Sequence, residues 1–300
     1  MSATSFLLRN LPFTIESDIA SRLNIRLHRR PSSAPFLSGD TFRTEADLVI
    51  EEDEEFCRND AASRKIIFCA SALAADRLQK IKLQDQYVLI VHHGDETIGE
   101  DFFRLLDKSG CSHCFAQNCL VADPRITPLP IGLEDQWRHQ HGNVRDFVRL
   151  RAMTVKKVPR IAWGFSLNTN PEERWSCYRA MLRTKNAVSI PAGINSRLYK
   201  KYANRHMFIA SPPGNGMDCH RTWEALYLRI VPIVKKSIMT EYFRSIGLPM
   251  LLVDDWREVE AWGESFLSET YEKLRSGFDA EALWLPFWEA QFHKYLAQSA

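Results

Sequence analysis

Apolar residues in the second half of the chain fall into short blocks separated by amphipathic stretches. The blocks at 160–166, 206–210, 231–234 and 250–253 are bounded by turn-forming residues and predict buried strands. Between them, 171–183, 196–204, 218–228 and 240–246 read as helices, and 258–274 and 280–296 as two closing helices. Pro171 suits a first helical position, and Glu172 and Glu173 suit the positive end of the helix dipole. Trp223, Leu226 and Tyr227 read as the core face of the 218–228 helix. Short apolar strands alternating with helices predict a parallel sheet covered on both faces. The first half shows the same alternation less regularly, with strands at 87–92, 114–117 and 126–129 and a helix at 100–108. The basic span 143–158 reads as a crossover between residues 1–150 and 151–300. The expected fold is α/β, two Rossmann-like doubly wound domains facing each other across a cleft.

Length supports two domains, since 300 residues exceed what one core usually organises. The chain is 45% hydrophobic and 25% charged with net charge +2, as ordinary globular proteins are. Lys and Arg are spread without basic blocks, so nucleic acid is not an expected partner. The start, MSATSFLLRNLPF, lacks the features of a signal peptide, and the most apolar run, 66–75, is about half a bilayer span. No transmembrane segment is therefore expected, although peripheral contact with a membrane is compatible with the composition. Seven cysteines with no export signal point to a reducing, cytoplasmic setting. Cys111, His113, Cys114 and Cys119 invite a zinc reading, but a single CxxC pair reads more simply as free, buried thiols. The acidic run EEDEE at 51–55 reads as a solvated face. In LLVDD, Asp255 reads as the cap of the next helix rather than as a metal ligand.

The chemistry concentrates in SPPGNGMDCHRTWEALYLRIVPIVKK, residues 211–236. It is neither a Walker A loop, lacking the lysine after its glycines, nor a dinucleotide fingerprint, lacking the third glycine. What remains is a strand, a glycine-rich turn and a helix N-terminus, an arrangement that holds anions. Asp218 reads as the N-cap. Arg221 can present a fork to a diphosphate, and Glu224, on the same face, can accept from a ribose diol. The competing reading is that Arg221 and Glu224 merely pair on a helix surface, with His220 solvated beside them. On the first-half side, the strand YVLIVH delivers His92, His93, Asp95 and Glu96 to the edge where α/β sheets bind ligands.

This segment resembles the donor site of exostosin-like glycosyltransferases of the GT-B type, with their SP-x-GNG-x-D-x-HR-x-WEAL turn and P-I-V strand. Further matches are SGDTFR at 38–43, H-x-x-D at His92 and Asp95, FAQN at 115–118 and LPIG at 129–132. They span roughly 36–290, most of the chain. The resemblance implies a GT-B-like fold and sugar transfer, with inversion, from a nucleotide-sugar donor (a UDP- or GDP-sugar) to a glycan or glycolipid acceptor. No cofactor or metal is implied, because protein cations neutralise the leaving diphosphate. Ser211, Asn215, Gly216, Asp218, His220, Arg221, Glu224 and Lys235 are the implied donor-side residues. Asp95 is the first candidate for the base, Asp40 the second, with His92 beside them, and Arg43 and His93 face the acceptor. The setting implied is assembly of a surface polysaccharide or other glycoconjugate. Arg229 departs from the pattern where the family places glycine, which suggests a different helix exit or a side chain turned to substrate. An inactive nucleotide-sugar-binding or scaffold protein of the same fold is the alternative.

Overall fold

The computed structural model describes residues 30–51, 55–57, 66–80, 86–138 and 141–297. The N-terminal segment read for export signals and residues 52–54 of the acidic run lie outside the described residues. Strands β1 (Leu48–Ile50), β2 (Glu55–Cys57), β3 (Ile66–Ala70), β4 (Tyr87–His92), β5 (Cys111–Ala116) and β6 (Ile126–Pro128) form one sheet in the order β2-β1-β3-β4-β5-β6. Only the edge pair β1–β2 is antiparallel. β3 and β4 are buried along their whole length, as strands covered on both faces must be. Helix α1 (Gly39–Thr44) precedes β1, α2 (Ser71–Lys80) joins β3 to β4, and α3 (Glu100–Ser109) joins β4 to β5.

The stretch expected as a bare crossover contains a helix, α4 (Val144–Arg151), capped by Asn143. Its apolar positions Val144, Phe147 and Leu150 lie three apart and are buried, so the basic residues between them are only its outer face. The second sheet follows, with β7 (Val158–Trp163), β8 (Ala187–Ser189), β9 (His206–Ala210), β10 (Val231–Lys235) and β11 (Leu251–Val253) in the order β11-β10-β9-β7-β8, all parallel. Its helices are α5 (Pro171–Arg183), α6 (Ser196–Ala203), α7 (His220–Tyr227), α8 (Ile238–Ser245), α9 (Glu264–Leu274) and α10 (Leu285–Ala297). The fold is thus the expected pair of Rossmann-like α/β units.

Three expectations change. The predicted helix 258–274 is broken: Asp255 and Glu258 form a capping box on a 3-10 turn, Trp256–Ala261, and extended Gly263 restarts the chain as α9. The predicted helix 280–296 divides likewise into a 3-10 turn, Glu281–Leu283, and α10. More consequentially, α10 does not close the second unit. It packs on β4 and β5, where Phe292 meets Phe42 and Phe115 and Tyr295 stacks on His113 at 3.5 Å. The boundary expected at residue 150 therefore separates the sheets but not the layers, because the chain end returns to the first unit. Tyr227 secures that return: its hydroxyl accepts from the Leu37 amide at 2.9 Å and donates to the Leu283 carbonyl at 2.8 Å. Among the described residues, no helix is long and apolar enough to cross a membrane.

Candidate active site

In the second sheet the chain moves from β7 to β8 on one side and then to β9 on the other. Such a reversal opens a crevice at the carboxyl ends of the two central strands, where α/β sheets bind ligands. A cleft of about 350 Å³ lies there. Gly164 and Ser166 follow β7, Cys219, His220, Arg221 and Glu224 belong to the turn after β9 and to α7, and Glu134 and His141 come from the connection after β6.

Arg221 and Glu224 lie one turn apart on α7 and both line this cleft. They form no ion pair among the described contacts, so the surface-pair reading does not hold. Arg221 Nε donates to the Tyr199 hydroxyl at 3.2 Å, its guanidinium lies over Phe165, and Nη1 is buried with no partner. Glu224 is buried too. Beside Arg221 stands Arg174, buried on α5, whose Nε donates to the Pro213 carbonyl at 2.9 Å and whose Nη1 donates to that of Ser166 at 2.8 Å. Burial, and then the Arg221 charge, pull the Arg174 pKa down. Two neighbouring guanidiniums, Arg174 buried and Arg221 half-buried with an unused Nη1 donor, make a site whose electrostatics favour an anion. Arg174 and Tyr199 carry no sequence signal, since neither sits in a recognisable motif.

The turn before α7 is clamped to the first unit. Asp218 is not the N-cap; that position is Cys219, with no side-chain cap bond. The Asp218 carboxylate instead accepts from the Cys219 amide (2.8 Å), the Trp223 indole (2.6 Å) and, across the units, the Ile131 amide (3.0 Å). Burial pushes its pKa up to about 6, against these three N–H donors. His220 Nδ1 bonds the Gly132 carbonyl at 2.9 Å, and Asn118 Oδ1 accepts from the Met217 amide at 2.9 Å. Thus the FAQN and LPIG elements hold the turn before α7. Asn215 donates to Asp95 Oδ2 at 3.0 Å, which puts the exposed Asp95 opposite the glycine-rich turn. Ser211 is spent inside, bonded to Thr222 at 2.9 Å and near the Cys219 sulfur. Lys235 lies 3.7 Å from Glu173 at the end of β10.

The remaining first-unit candidates are drawn into a buried network. Asp40 is 1% exposed, and one oxygen accepts from Arg30 Nε at 2.9 Å. Its own amide donates to Asp135 at 2.8 Å. Burial, then the Asp135 charge, raise the Asp40 pKa to about 6. Enclosed in this way, Asp40 supports the site rather than meeting an acceptor. His92 Nδ1 accepts from the His93 amide at 2.8 Å, which leaves Nε2 to donate to the Pro130 carbonyl at 3.1 Å. Burial, then the His93 charge, lower its pKa to about 3, so His92 is a neutral buried prop with no nitrogen left for catalysis. His93 and Arg43 are likewise turned inward from the expected acceptor side, both onto Glu51, at 2.7 and 2.8 Å. Glu51 therefore belongs to the core of the network and not to a solvated acidic face.

Burial alone would lower the His93 pKa, but Asp135, 3.1 Å from Nε2, and Glu51 outweigh it and raise it to about 9. A raised folded pKa stabilises fully below the unfolded value near 6.5 and is lost as pH rises through the folded one. The urea midpoint is therefore expected to fall between about pH 6.5 and pH 9 and to level off above that, and this part of the fall should vanish in His93→Asn. Asparagine is the suitable replacement because His93 has φ of 56°, a left-handed conformation asparagine tolerates.

Asp40, His93 and Asp135 place one ligand atom each within 4.8 Å of one another, the geometry of a cation site. Arg30 already lies 2.8 Å from Asp40, and His93 supplies a second positive charge between Glu51 and Asp135. In this structure the carboxylates are met by the protein's own cations. In the cysteine cluster, the Cys111 and Cys119 thiols are used inside the protein, donating to the His113 carbonyl at 3.2 Å and the Ala116 carbonyl at 3.1 Å. Burial pushes the thiols of Cys111 and Cys119 up to about 12.

Arg229 lies away from the cleft. It takes a left-handed φ of 55°, the region a helix-ending glycine enters freely, and the Ile230 amide closes back on the Ala225 carbonyl at 2.9 Å. The helix exit is therefore the usual one, and the side chain turns to Asp279 at 3.4 Å, not to substrate.

No family model matches the chain, and no curated protein matches it. Among solved structures, the fold is similar to that of an E. coli structure described as "Trehalose-6-phosphate from E. coli bound with UDP-2-fluoro glucose", at 13% identity and TM-score 0.47 over 78% of this chain and 73% of that one. An α,α-trehalose-phosphate synthase (UDP-forming) from Burkholderia vietnamiensis matches at 10% identity and TM-score 0.46, over 78% and 75%. The spinosyn rhamnosyltransferase SpnG matches at 10% identity and TM-score 0.35, over 79% and 70%. All three lie below a TM-score of 0.5, too distant to assign this chain a substrate.

Proposed function

We propose that this protein is a glycosyltransferase that moves a sugar from a UDP- or GDP-sugar to a glycan or glycolipid acceptor, with inversion and without a metal. The observation that carries the reading is Arg221, whose Nη1 has no partner, and Glu224, which line one cleft beside the buried guanidinium of Arg174. The leaving diphosphate fits between the two guanidiniums and the open amides at the start of α7. Glu224, one turn further, is placed to accept from the ribose hydroxyls. The donor-segment motifs support the same assignment.

Asp95 is the proposed base. Asn215 of the glycine-rich turn holds one of its oxygens, and unlike Asp40 it is exposed. It takes the acceptor hydroxyl proton as that oxygen bonds the anomeric carbon, while the bond from that carbon to the diphosphate breaks on the opposite side. Asp95→Asn is expected to lower kcat by about 10²–10⁴ while calorimetric affinity for the nucleoside diphosphate stays within about twofold. An Asp95→Asn enzyme with unimpaired turnover would remove Asp95 from the mechanism. Wild-type protein that binds a nucleotide sugar but neither transfers nor hydrolyses it would favour a binding protein of the same fold.

A further inference from the structure

Helix α6 is two-sided in an unusual way. Its inner face carries Tyr199, which bonds Arg221, Lys200, which pairs with Asp146 at 3.2 Å and sits over Phe147, and buried Ala203. Its outer face carries Arg197, Lys201 and, just past its end, Arg205, four residues apart. Beside that row run Leu198 and Tyr202, 41% and 40% exposed. No acidic residue occurs in the helix. The neighbouring surface continues the pattern. Lys157 Nζ donates to Asn204 and the Val158 amide to the Arg205 carbonyl, which joins the 153–158 segment to the helix end. That segment exposes Lys156 together with Met153 (54%) and Val158 (41%), and Arg149 is exposed on α4.

The acidic groups around this surface are already neutralised. Asp146 pairs with Lys200 and Arg197, Glu264 with Arg160, Glu272 with Arg275, and Asp279 with Arg151 and Arg229. What the face presents is positive charge interleaved with apolar side chains.

We propose that the outer face of α6, with the adjoining 153–158 segment, docks on an anionic lipid bilayer. Cations answer the headgroup charge, and Leu198, Tyr202, Met153 and Val158 reach the acyl boundary. A surface that tracks nucleic-acid phosphates has no use for exposed Leu, Met and Val, so a bilayer is the better fit. Tyr199, in the first turn of α6, reaches the cleft, whereas Arg205 and the 153–158 segment lie at the amino ends of β7 and β9, the opposite edge of the sheet. The docking surface therefore does not rest on the transferase reading.

The test is flotation of the full chain with vesicles of phosphatidylcholine alone or mixed with phosphatidylglycerol. The protein is expected to float with the anionic vesicles only, less so at high salt. Combined Arg197→Glu, Lys201→Glu and Arg205→Glu should reduce binding at least about tenfold, and Leu198→Ser with Tyr202→Ser several-fold, with unchanged circular dichroism. No flotation of the wild type, or equal flotation of the variants, overturns the proposal. So does binding to short duplex DNA or single-stranded RNA without vesicle binding. UDP titrations of the same variants separate the two claims: loss of vesicle binding with UDP affinity intact supports the docking face and leaves the cleft reading untouched, whereas absent UDP binding by the wild type counts against the cleft alone.

Discussion

Arg221→Ala is expected to lower calorimetric affinity for UDP or GDP by about a hundredfold or more. Arg221 can offer a diphosphate two charge-assisted hydrogen bonds, each contributing about 1.5 kcal/mol or more in a buried site. The same substitution removes the Tyr199 bond and the charge that Glu224 faces, so it should also cost some stability. Affinity lost in a variant that still unfolds cooperatively marks a ligand contact; unchanged affinity marks a structural arginine. Glu224→Ala sharpens the assignment. It should weaken UDP, which carries a ribose, while leaving inorganic pyrophosphate unaffected. If both ligands weaken together, Glu224 shapes the cleft and does not read the ribose.

Gly216→Ala is expected to cost about 2–4 kcal/mol of stability and to loosen the contact between the two units. A Cβ at Gly216 would stand 2.5 Å from Asn118 Oδ1 and 2.7 Å from its Nδ2. Asn118 has little room to move. It is fully buried, holds a left-handed φ of 58°, and bonds both the Met217 amide and the Gly94 carbonyl. The clash therefore breaks a bond that joins the donor-side turn to the first sheet. Gly99→Ala is the control, since a Cβ there meets nothing within 4 Å, and its urea midpoint should stay near that of the wild type. Equal midpoints for the two variants would mean that the seam tolerates displacement.

The Arg221 side of the candidate cleft was legible because it is local. One continuous segment supplies the strand end, the glycine turn, Arg221 and Glu224, and helix periodicity alone puts the last two on one face. Arg174 escaped notice because it reaches the cleft from another helix, through bonds to the Ser166 and Pro213 carbonyls that only the fold brings together. The buried network was the hardest part to read. Arg30, Asp40, Glu51, His93 and Asp135 come from five separate stretches, so nothing in the order of residues showed that the charges of Asp40, Arg43 and His93 are met inside the protein. Helix boundaries failed where tertiary packing decided them, as when α10 left the second unit for the face of β4 and β5. Arg229 failed for a smaller reason: a non-glycine residue accepted the left-handed exit that glycine usually fills.

The most direct test is a crystal structure with UDP or GDP soaked into the protein. The account predicts the diphosphate between Arg221, Arg174 and the first amides of α7, with the ribose hydroxyls on Glu224 and Asp95 facing the β-phosphate side of the cleft. A nucleotide bound away from the carboxyl ends of β7 and β9, or one whose diphosphate touches neither arginine, would contradict it.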